Sequence, residues 1–149
     1  MSVKNRNIKV SDFKDEWITN QIDGQCIQFM EDFGFSLCDK KNENGRPGFN
    51  GVTISQVRNI FAEVKRLEVQ LGGEKTWMEA STNFLMLRPK IAYSAARVLS
   101  QKRQSKMGDL KIVLEQAHGC VTGVDSFKRF SQLLEGIIAY HKVYGGRDN

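Results

Sequence analysis

The chain has 149 residues, 40% of them hydrophobic and 26% charged, and a formal net charge of +5. This is the make-up of one soluble globular domain with enough chain for an ordinary core. No apolar run reaches the length of a bilayer span and the charged start leads into no signal-type apolar run, so the expectation is a cytoplasmic protein with no membrane partner.

Residues 1–11 are polar and short of apolar anchors, so fraying is expected there. Ser11 or Asp12 can cap a helix whose apolar positions are Phe13, Trp17, Ile18 and Ile22, and Asp23-Gly24 bends or restarts it. Ile22, Cys26, Phe29, Phe33 and Leu37 then recur at helical spacing to about Asp39. The run KKNENGRPGFNG at 40–51 is dense in turn formers and reads as a loop. Thr53 or Ser55 can cap the next helix, in which Ile54, Val57, Phe61, Val64, Leu67 and Leu71 form one stripe and Gly72-Gly73 the stop. Arg58 and Lys65, seven apart, share an outer stripe with Arg66 one position round.

A third long segment covers about Lys75 to Lys102, with Trp77, Phe84, Leu87, Ile91, Ala95 and Val98 inward. Pro89 predicts a kink there, or two helices meeting at Leu87–Arg88. Beyond it Lys90, Ser94, Arg97 and Gln101 share a polar stripe, which Arg88 joins only if the kink re-aims it. Ala92, Ala95 and Ala96 allow a neighbouring helix to approach. A shorter helix spans Met107–His118, and a last one starts with Asp125 as cap and ends at Gly145-Gly146. Gly136 inside it costs about 1 kcal/mol relative to Ala, which points to tolerance or to tight packing. No segment alternates with period two, so the fold is all-α, about five to six helices and no sheet.

Charge is concentrated. Residues 81–108 hold Arg88, Lys90, Arg97, Lys102, Arg103 and Lys106 and no Asp or Glu, whereas residues 1–44 carry a net −2. A local basic field without interleaved acids attracts polyanions; the plainer reading is a solvated helix face. Catalytic constellations are missing. His118 and His141 lie far apart, and His118 with Cys120, Cys26 and Cys38 matches no common zinc spacing. The plainer reading is a helix-end histidine, a core histidine at 141 and three reduced, buried or half-buried thiols. Asp12, Asp15 and Glu16 read as a solvated helix face. No catalytic residue, metal or cofactor is expected.

Three blocks carry a resemblance. They are Phe49–Phe61 with Val64, Arg66 and Leu67; Leu87–Arg97, reading LRPKIAYSAAR; and Phe127–Gly146, ending IAYHKVYGG. In order and separation they resemble the small subunit of type III-A CRISPR effector (Csm) complexes, over roughly residues 49–146. On that basis residues 1–48 are an N-terminal helical segment with a polar loop, and 49–149 the helical small-subunit core. The resemblance implies a non-catalytic protein stacked in several copies along guide RNA and target RNA, self-associating in a filament beside the backbone and large Csm subunits. Arg58, Lys90 and Arg97 fall on the family's basic positions; Pro89 departs from members with an unbroken helix, and Ala96 stands where glycine is common. Lys65, Arg66, Arg88 and Lys102 are expected to support one RNA-facing surface through phosphate contacts, which need no base code. Tyr93 is expected to pack in the core rather than stack on a base. The alternative is a helical protein-interaction adaptor whose basic surface docks an acidic partner.

Overall fold

A computed structural model describes residues 7–40 and 48–149. Among them are a 3₁₀ turn at Val10–Asp12 and six α-helices: α1 Glu16–Thr19, α2 Gly24–Ser36, α3 Ile54–Gly72, α4 Trp77–Gln101, α5 Met107–Gly119 and α6 Val124–Val143. No described residue is in a strand, as the absence of period-two alternation predicts. No helix among them is long and apolar enough to cross a membrane.

α2 and α3 begin where the sequence offers a restart and a cap. Asp23 accepts the Cys26 N–H (2.9 Å) to restart the chain as α2. Thr53 and Gln56 close a capping box at α3, as Thr76 and Glu79 do at α4. Other expectations need correction. The first predicted helix is two short pieces: Asp12 accepts the Lys9 N–H (2.8 Å) and Phe13 is extended, its ring edge-on to Trp17 at 5.7 Å and Phe29 at 6.0 Å. Aromatic burial wins there over helix continuity. Asp125 does not cap α6; the Ser126 hydroxyl accepts the Thr122 and Gly123 N–H groups (2.8 and 3.1 Å). Pro89 does not divide α4, which runs unbroken for 25 residues. The proline is exposed, and the carbonyl it leaves unpaired, that of Leu85, is on an exposed residue that water can reach. Tyr93 is 65% exposed and takes no part in the core. Of the predicted 40–51 loop, residues 48–51 are irregular, and 41–47 lie outside the described residues, as do 1–6 at the start.

One apolar cluster runs from Phe13 to Ile137, so α1 and α2 share the core of the later helices. α2 lies along α6, α3 along α4, and α4 against α5. Phe84 is the hub: its ring is edge-on to Phe127 and Phe130 (5.8 and 5.6 Å) and parallel to His118 at 4.1 Å. Gly136 packs against α2, where a Cβ on it would meet the Met30 side chain.

Candidate nucleic-acid interface

α3 and α4 form an antiparallel pair, bridged at mid-length by the Lys90–Glu63 ion pair (3.3 Å). Towards the start of α3 and the end of α4 the pair opens into a groove of about 390 Å³. Ser55, Gln56 and Asn59 line one wall, and Ser94, Arg97 and Gln101 the other, with Lys102 and Arg147 at the end. None of the lining side chains is a carboxylate.

The chain after α6 builds that end. Gly145 has φ +87°, a left-handed conformation that favours glycine and turns the tail back towards α3. The Ile54 and Ser55 N–H groups then donate to the Arg147 and Asp148 carbonyls (3.0 and 2.9 Å). First-turn amides, which have no intrahelical acceptor, thus pin the tail. The Arg147 guanidinium pairs with Asp39 and lies 4.9 Å from the ring of Phe49. Lys102 Nζ donates to the Phe49 carbonyl (3.1 Å) and sits 5.6 Å from the same ring. Asp148 is held below its usual range by a hydrogen bond from Lys142 first, with a smaller pull from Arg58.

The seven basic residues expected at an RNA surface divide by environment. Arg97 and Lys102 line the groove. Arg58 is exposed beside the groove residue Asn59 and makes no ion pair among the described residues; the same holds for Arg97, whose guanidinium lies 5.9 Å from the Tyr93 ring. Lys90 and Arg66 share Glu63 as partner. Lys65 is half-buried and paired with Glu68 (3.3 Å) and with Glu135 of α6. Arg88 leaves α4 on the opposite side from Lys90, since two positions on an unbroken helix are about 200° apart. Its charge is felt by His118 of α5. The acid-free window of the sequence is therefore not acid-free in space: α3 brings Glu63 against it. Among the groove cations, Arg147 is the one that sequence reasoning passed over. Gly145-Gly146 reads as a helix stop, and only its second role as a reversing turn would have pointed to Arg147.

The thiols and imidazoles are packed away from this face. His118 Nε2 donates to the Phe84 carbonyl (2.8 Å) and His141 Nε2 to the Val52 carbonyl (2.6 Å). Burial holds both below the ordinary histidine value. Burial pushes the Cys26 thiol up to about 12 and that of Cys120 to about 11, and raises Cys38 too. Thiols held protonated are poor nucleophiles and poor ligands. Among the described residues no three His, Cys, Asp or Glu side chains gather as a metal site.

No solved structure gives a significant match. A curated relative, described as "CRISPR system Cms protein Csm2" from Streptococcus thermophilus, is 26% identical over 113 residues, 76% of this chain and 86% of the relative. The family model described as Csm2 Type III-A matches residues 36–147, starting earlier than the resemblant blocks and taking in the end of α2 and the pinned tail. The chain therefore belongs to the Csm2 family, the small subunit of the type III-A CRISPR Csm complex.

Proposed function

We propose that this small subunit is a non-catalytic RNA-binding protein, several copies of which stack along the guide RNA–target RNA duplex beside the backbone and large subunits. The observation that carries the reading is the α3–α4 groove, lined by Arg97, Lys102 and neutral hydrogen-bonding side chains, with Arg147, paired to Asp39, closing its end. Cations and amide or hydroxyl donors on rigid helices fit phosphate oxygens, and phosphates are the same for any guide sequence. Arg58 extends the field along α3. Lys65, Arg66 and Lys90 hold carboxylates through pairs exposed enough to contribute at most about 1 kcal/mol each, so phosphate can compete for them. Arg88 stands apart on the α5 side of α4 and belongs to a different contact.

The test is filter binding of RNAs of unrelated sequence across a salt series. It compares the parent with the triple variant Arg58→Ala, Lys90→Ala, Arg97→Ala, whose folding is checked by circular dichroism. Affinity should fall alike for every sequence, and the salt slope should shrink by roughly one unit per charge removed. A folded triple variant with the parental affinity and slope overturns the assignment.

A further inference from the structure

α4 has a second outward face that the RNA reading does not use. Met78, Leu85, Met86 and Tyr93 are 85, 63, 53 and 65% exposed. Pro89 and Ala96 are exposed between and beyond them. Their spacing puts all six on one side of the helix, opposite the buried Phe84, Leu87, Ile91 and Ala95. Single exposed apolar side chains are ordinary, but a contiguous row about 27 Å long is a mark of an interaction surface.

The charges around the row choose its occupant. Arg88 borders one edge and Lys90 and Arg97 the other; the nearby acids are already engaged, Glu79 with Thr76 and Glu63 of α3 with Lys90, so the edges stay net basic. RNA gains nothing from methionine and leucine side chains that offer no donor to phosphate. A second copy of the same face would set Arg88 and Lys90 against their own like. We infer that the outer face of α4 docks an amphipathic segment of another protein subunit, one that presents an apolar row flanked by carboxylates. Two methionines in the row let it fit an imperfect partner surface, since the thioether chain repacks easily. Leu85, at the middle of the row, lies under the centre of that contact.

The experiment places the photo-crosslinking residue p-benzoylphenylalanine at position 85 and assembles the chain into the complete Csm complex. Irradiation should join it to another protein subunit, at a segment in which Asp or Glu flanks apolar residues. In parallel, Leu85→Lys should lower incorporation into the complex at least tenfold while the isolated variant binds RNA no more weakly than the parent. A crosslink to RNA, to a second copy, or to a segment without carboxylates overturns the proposal. So does the absence of any crosslink, or normal incorporation of Leu85→Lys. Failure of the RNA assignment would show instead as an unchanged salt slope in the triple variant, with the crosslink intact.

Discussion

The α2–α6 seam, a parallel contact in which Met30 meets Gly136 and Gly34 meets Ile137 and His141, and the antiparallel α3–α4 pair are built differently. At the seam the two backbones nearly touch: a Cβ on Gly34 would lie 2.8 Å from the Ile137 carbonyl and 2.9 Å from the His141 nitrogen. The Cys38 thiol reaches the His141 carbonyl (3.4 Å). The α3–α4 pair is held by one buried stripe on each helix and, at the rim, by Glu63 with Lys90. The seam uses both of its elements for the core, whereas the pair leaves a polar groove and an apolar row facing outward. Rigidity and recognition are thus assigned to different helices, and a change in one should leave the other measurable.

The sharpest test of that division is Phe33→Ala against Leu85→Ala. Phe33 is 1% exposed in the seam, so its loss should cost about 3–5 kcal/mol in urea unfolding, while Leu85→Ala should change stability by less than about 0.5 kcal/mol. Equal costs would remove the distinction. Next comes a pair of glycines. Gly34→Ala must push backbone against backbone and should destabilise by about 1–3 kcal/mol. Gly136→Ala meets only the flexible end of Met30, and a helix-propensity gain of about 1 kcal/mol offsets the repacking, leaving the variant near parental stability. If the two glycines behave alike, the seam is not a backbone contact.

A smaller effect should appear with pH. His141 serves the seam and His118 the α4–α5 side, and both are held neutral below their ordinary value near 6.5. The unfolded chain takes up those protons first, so stability should be flat above about pH 6.5 and fall as pH drops through the folded values. His118→Gln and His141→Gln should each reduce the slope, dividing it between the two regions; a stability that does not change between pH 7 and 5 would contradict this. The smallest effect is expected for Lys65→Met, which removes the half-exposed pairs to Glu68 and Glu135 and should cost at most about 1 kcal/mol in the same unfolding assay.

What the sequence made legible follows from how local each signal is. α3 could be read nearly to the residue, because a capping box, a clean apolar stripe and Gly72-Gly73 all lie within its own span. The first helix misled because Phe13 and Trp17 keep helical spacing while their rings are placed by Phe29 of another helix. Pro89 misled because its cost depends on which side of the helix it faces, and that side is solvent. At the candidate interface the basic residues were visible as a cluster, but their partners were not. Glu63, Glu68 and Glu135 come from elsewhere in the chain, and they separate Lys65, Arg66 and Lys90 from Arg58 and Arg97. Arg147 reaches the groove only because Gly145 reverses the tail.

The seam also sets a timetable for the nascent chain. α2 is complete at Ser36, but the helix it packs on ends at Val143. At about 5–20 residues per second, α2 waits roughly 5 to 20 seconds on the ribosome without α6. Throughout that interval Met30, which meets Gly136 of α6 and is buried in the finished molecule, is open to solvent. A chain whose first apolar helix must be kept from self-association until its last one emerges is a natural client for holding chaperones, and slower translation lengthens the exposure.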